Sequence, residues 1–164
     1  MNSPPHPSKL PRRLLLFAAA LLLPVAAGAG HRTKVNGHRV YYLRAGTGSP
    51  VVLLHGRGNA GEHDFQNQID RLIDAGHELI APDQVGQGHA PELLGALRYD
   101  PMMEDTAALL RVLGVMSNDM IAFSHGGILG LMFAIGYPEL VNRLVVSGAT
   151  ISPAGLPQDH LDAL

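Results

Sequence analysis

Ser124 follows the apolar run 120–123 and precedes His125, Gly126 and Gly127. An apolar run that feeds into a serine, two glycines and a helix-like segment, 128–135, reads as a strand, a sharp turn and a helix. Such a turn needs small residues on both sides of the serine, because the two backbones nearly touch there. Ala122 and Gly126 meet that need, with alanine where glycine is usual. A serine presented this way can attack an acyl carbon. Its hydroxyl is weak alone and needs a histidine base with a carboxylate to orient it. The tetrahedral intermediate also needs backbone N–H groups facing its oxyanion. One would come from His125 at a helix N-terminus, where the dipole helps. The other would come from Arg57 in the string His55-Gly56-Arg57-Gly58, whose glycines let the backbone approach a substrate. Asp83 opens a third loop, 83–89, carrying Gly86, Gly88 and His89.

The base and its partner are harder to place. The His125 side chain is expected to point away from the hydroxyl of its neighbour. Asp159 and His160 are adjacent, a poor arrangement for a base and its orienter. His89 is expected on the loop surface or at a pocket rim.

These loops need elements to bring them together. Asn36-Gly37 tolerates positive φ at both positions and predicts a β-hairpin over 33–42. Residues 51–54 form a continuous apolar run, as in a strand buried on both faces. A helix is predicted from about Glu62 to Ala75, with Phe65, Ile69, Leu72 and Ile73 on one face and Gly76 as its stop. A strand follows at 78–81. Asp100-Pro101 starts another helix, with Asp100 as cap and Gly114 as terminator. Further strands are expected at 120–123 and 144–147. Strands alternating with helices imply right-handed crossovers and a mostly parallel sheet, so the fold class is α/β: about six strands, an antiparallel hairpin first, helices on both faces. In such sheets sites form at the carboxyl ends of strands, where all three loops lie.

Composition narrows the function classes. The chain has 164 residues, 46% hydrophobic and 16% charged, with net charge −2. That is one globular body with no electrostatic support for nucleic-acid binding. There is no cysteine, which removes disulfides and thiolate sites. The nine histidines show no paired ligand spacing, so no metal is expected. No cofactor is expected either, since the Gly86 and Gly88 spacing is no dinucleotide fingerprint. Residues 1–30 differ in kind. Lys9, Arg12 and Arg13 precede the apolar stretch 14–23, then Pro24 and the small residues Ala27-Gly28-Ala29. This order predicts a signal peptide and a secreted or periplasmic protein, with 31–164 as the body. The stretch is short for a membrane span, so membrane contact is expected only if this segment stays uncleaved.

Taken together, the motifs resemble the α/β-hydrolase fold superfamily over roughly 33–157. The matching pieces are His55-Gly56-Arg57-Gly58, Asp83 with Gly86 and Gly88, Ser124 at its turn, Tyr99-Asp100 with Glu104-Asp105-Thr106, Tyr137-Pro138-Glu139, and the run 143–149. The resemblance implies a serine hydrolase acting on an ester, amide, thioester or carbon–carbon bond of a small-molecule substrate. A serine at this turn sets the chain apart from dehalogenase and epoxide-hydrolase relatives, which place aspartate there. Ala122, Val85 and His89 depart from the usual pattern. The resemblance also places the triad acid after a later strand and the histidine after the last one, and no residue here maps onto either. The body is therefore expected to be an incomplete α/β-hydrolase domain with late strands missing, and the chain inactive or incomplete by itself. The alternative expectation is a non-catalytic remnant or binding module. In either case the strand 144–147 would be an exposed apolar edge open to self-association.

Overall fold

The computed structural model describes residues 29–91 and 98–150. Expectations that fall on 1–28, including most of the leader, and on Asp159 and His160 lie outside them. Six strands form one sheet: β1 (Ala29–Val35), β2 (His38–Gly46), β3 (Ser49–Leu54), β4 (His77–Pro82), β5 (Asn118–Phe123) and β6 (Val141–Ser147). Their spatial order is β1-β2-β4-β3-β5-β6. The pairs β1–β2 and β2–β4 are antiparallel, and the other three are parallel. β1 begins at Ala29, within the segment expected to be leader. Asn36 (φ 47°) and Gly37 (φ 90°) form the hairpin turn as their types predict.

The helices are α1 (Gly61–Asp64), α2 (Gln66–Asp74), α3 (Tyr99–Val112) and α4 (His125–Gly136), followed by a 3-10 turn (Pro138–Leu140). Among the described residues none is long and apolar enough to cross a membrane. On one face, Val52, Leu54, Ile80, Met120 and Ala122 pack against Met102, Leu109, Leu110, Leu129 and Phe133 of α3 and α4. On the other, Leu43, Val51, Leu53, Leu79 and Ala81 pack against Phe65 and the half-buried Ile69, Leu72 and Ile73 of α2. Alternation of side chains along β3 and β4 feeds both cores, which is why both strands read as unbroken apolar runs.

Three boundaries differ from expectation. The helix predicted over 62–75 breaks at Phe65 (φ −110°, ψ 13°). The Phe65 ring buries there while the preceding Asp64 bonds the loop after β3. Asp100 is not the cap of α3: Arg98, extended at φ −128° and ψ 135°, precedes the helix and no side chain caps it. Tyr99, stacked on His125, opens the helix, and Asp100 sits in its first turn, where a negative charge suits the dipole. α4 starts at His125 rather than at 128, because the Ser124 carbonyl already accepts from Gly127 (2.9 Å) and Ile128 (3.3 Å).

Candidate functional site

β5 and α4 meet at Ser124, whose backbone lies at φ 52° and ψ −117°. It is one of two non-glycine residues with positive φ among those described, the other being Asn36 in the hairpin turn. Such a conformation costs about 1–3 kcal/mol and persists only where its surroundings over-determine it. Two contacts do so. The Ser124 N–H donates to the Ser147 carbonyl at 2.8 Å, anchoring the turn to the end of β6. Gly126 lies so close to β3 that a methyl group there would sit 2.2 Å from the Leu54 carbonyl oxygen and 2.4 Å from that of His55. The start of α4 is thereby seated against the loop that leaves β3.

That loop is held from below. The Gly56 N–H donates to Asp64 at 2.6 Å, and the Asn59 side-chain amide donates to the other Asp64 oxygen. The Gly58 N–H donates to the Gln87 side chain at 2.7 Å. His55, fully buried, accepts the Gln84 N–H on Nε2 at 3.0 Å and faces the Gly56 carbonyl with Nδ1 at 2.7 Å. Nε2 as acceptor assigns the proton to Nδ1, so the ring is a neutral strut between the ends of β3 and β4. Asp83 is buried too. Its carboxylate accepts from the Gly61 N–H at 3.2 Å, the His89 N–H at 2.7 Å and His89 Nδ1 at 3.0 Å. The loops carrying His55, Asp83 and Ser124 thus meet at one end of the sheet. Arg57 is exposed at the crest of the first loop, and among the described residues nothing accepts its N–H. The N–H groups of His125 and Gly126, in the first turn of α4, have no intrahelical partner.

The His125 ring is buried beneath Tyr99, with centroids 4.7 Å apart and planes at 28°. Among the described residues neither ring nitrogen has a hydrogen-bond partner. Burial above all, with the positive charge of Arg57, pushes its pKa down to about 4. Burial likewise raises the Tyr99 phenol, an effect Arg57 opposes. Phe123, 42% exposed, lies between Gly56 and Gly148 at the rim.

Among the described residues His38 pairs with Asp105, and His89 pairs with Asp83 and, at 3.9 Å, with Glu62. His38 Nε2 is 2.8 Å from Asp105, which also accepts from Asn36 at 2.9 Å. His89 bonds Asp83 and stacks on Tyr41 of β2, with ring centroids 4.2 Å apart. β4 and β3 separate β2 from β5, so three strand spacings put β2 roughly 14 Å from the serine strand. Among the described residues no hydrogen bond reaches the Ser124 hydroxyl. No group of three or more potential metal ligands occurs among them either.

Sequence reasoning did not single out Asp64, Gln87 or Phe123; it named Tyr99 and Asp105 only as parts of a family-like helix entry and Asn36 only as a turn residue, without their contacts to His125 and His38. An acid in the first turn of the helix after a glycine loop was the available signal for Asp64. Nothing local marks Gln87 or the pairing of Tyr99 with His125.

A family model described as alpha/beta hydrolase fold matches residues 49–163. The chain is 33% identical over 123 residues to the cis-3-alkyl-4-alkyloxetan-2-one decarboxylase of Shewanella oneidensis, covering 71% of this chain and 37% of that protein. It is 32% identical to the soluble epoxide hydrolase of a Corynebacterium species, covering 71% and 40%. The structure superposes on an esterase from Exiguobacterium antarcticum with a TM-score of 0.71 and 27% identity, covering 84% of this chain and 54% of that one. The chain therefore spans about 40% of the length of these two sequence relatives. One fold carries three differently named chemistries in these proteins, so activity has to be argued from the site.

Proposed function

The chain belongs to the alpha/beta hydrolase fold family, and on that premise we propose that it is a serine hydrolase of esters or related acyl bonds in a small-molecule substrate. The observation that carries this reading is the backbone of Ser124, held at φ 52° between β5 and α4. Strain of that kind, with free N–H groups on the next residue and on the facing loop, supports a nucleophile beside an oxyanion hole. Ser124 Oγ would attack the acyl carbon. The carbonyl oxygen, now negative, would accept from the His125 and Arg57 N–H groups. The alcohol would leave with a proton and water would hydrolyse the acyl-serine. The hydroxyl proton must pass to a base that is not among the described residues. His125 is ill suited, since a ring that gains a proton only near pH 4 is a poor acceptor at neutral pH. Asp83, His55, Gly56, Gly58 and Gly126 support the site as scaffold.

A fluorophosphonate probe tests the reading. We expect slow labelling of the purified chain, confined to Ser124, lost in Ser124→Ala and accelerated by added imidazole as a surrogate base. Labelling that survives Ser124→Ala refutes it. The absence of a bonded base favours one second reading, a binding module that never turns over. That reading predicts no labelling with or without imidazole. The order of charged, apolar and small residues near the N-terminus supports export to a periplasm or beyond. Among the described residues the outer edge of β6 has no strand partner, and with Val145 58% exposed this supports self-association.

A further inference from the structure

Two side chains that serine acylation does not require, Tyr99 and His125, stack beside Ser124, and the loop carrying Arg57 packs against the same turn. Arg57 projects from the loop packed against the start of α4, and among the described residues no carboxylate lies within ion-pair distance of its guanidinium. The acid nearest that loop, Asp64, already bonds the Gly56 N–H and the Asn59 amide. Tyr99 opens α3 and lies face to face with His125, 4.7 Å away. His125 is more than nine-tenths buried, yet among the described residues neither ring nitrogen has a partner. Native proteins rarely leave a buried donor unsatisfied, and each exception calls for an explanation such as a bound ion, a water or a role in chemistry. The ring is neutral at physiological pH, so it keeps one N–H to donate. The loop that carries Arg57 reaches this corner through its backbone, since the Leu54 and His55 carbonyls lie against Gly126, the residue after His125.

We propose that Arg57, Tyr99 and His125 form a subsite for a carboxylate carried by the acyl substrate. The set offers a planar guanidinium fork, a phenol and an imidazole N–H, with one positive charge and no competing acid. A planar monoanion matches the fork in shape and charge. A dianionic phosphate would leave excess charge against a buried neutral ring. The preferred substrate class is thus the half-ester or half-amide of a dicarboxylic acid. Only the hydrolysed acyl bond in this statement rests on the serine-hydrolase reading. Anion recognition does not.

The test uses the Ser124→Ala chain, which binds without turnover. Monomethyl glutarate and dimethyl glutarate are titrated by calorimetry, and the His125 ring nitrogens are followed by NMR. The half-ester is expected to bind at least about tenfold more tightly than the diester and to shift the ring signals. Arg57→Gln is expected to erase that preference, and Arg57→Lys to restore part of it. Equal affinities, no half-ester binding up to about 10 mM, or an unchanged preference in Arg57→Gln overturns the subsite. Inorganic phosphate binding as tightly as the half-ester overturns the carboxylate assignment. Failure of fluorophosphonate labelling in the parent chain would refute the nucleophile and leave the binding result standing. Success in labelling with equal ester affinities would do the reverse.

Discussion

Asp64 reaches back eight positions to hold the Gly56 N–H at 2.6 Å. A carboxylate that accepts from a backbone amide in a partly buried setting stabilises by about 1.5–3 kcal/mol. Asp64→Ala should therefore lower unfolding free energy by about that much in a urea titration, and should slow labelling at Ser124 by loosening the facing loop. Unchanged stability would show that the loop is held elsewhere. His125 gives a second prediction at this scale. Its pKa is about 4 in the folded chain and about 6.5 when unfolded. The unfolded state then binds more protons between those values, so stability is fully present above about pH 6.5 and declines as pH falls towards 4. At about 1.4 kcal/mol per tenfold change in proton affinity, this one ring accounts for about 3 kcal/mol. In His125→Leu the urea midpoint should fall less between pH 7 and pH 4.5 than it does in the parent chain. An identical fall in both would assign the acid sensitivity to other groups.

At the scale of elements, the seat of α4 on the sheet depends on complementary small residues. A methyl group on Gly130 would lie 2.8 Å from Cβ of Ala122. This explains how the strand tolerates alanine where glycine is usual: the helix supplies the missing space from its own side. Gly130→Ala should cost about 1–3 kcal/mol despite the better helix propensity of alanine. Adding Ala122→Gly should recover much of the loss, and a double-mutant cycle measures it. If the two effects simply add, the packing account fails. The same logic ties element boundaries to the site. α3 begins at Tyr99, against His125, rather than at the aspartate suited to cap it.

At the scale of the molecule, the sheet has unlike borders. The β1–β2 hairpin covers one side and is pinned to α3 through Asn36, His38 and Asp105. Among the described residues β6 forms the other border, with its backbone paired on one side only. The Arg143–Asp119 pair, with Arg143 Nη2 2.6 Å from the carboxylate, lies along it and is largely screened by solvent. Val145 and Phe123 leave apolar surface nearby. Concentration-dependent association by analytical ultracentrifugation is expected, and Val145→Lys should weaken it. A parent chain that stays monomeric at high concentration would remove β6 as a contact surface.

Residue types and short patterns carried the parts of this protein whose causes are local. Asn36-Gly37 forms its turn because both residues tolerate positive φ. The apolar runs before His55, Asp83 and Ser124 become strands because two-sided burial requires them, and their ends then gather at one edge of the sheet. The bend at Ser124 follows from small neighbours between a strand and a helix. Tertiary structure decided the rest, because strand order is not chain order. β4 lies beside β3 and so joins His55 to Gln84 and Gly58 to Gln87, each across 29 positions. The same placement makes Asp83 a tether for two loops, while the packing of α3 on α4 brings Tyr99 over His125. A side chain's neighbours across a sheet, and with them its proton and charge, exist only once the chain has chosen which strands touch.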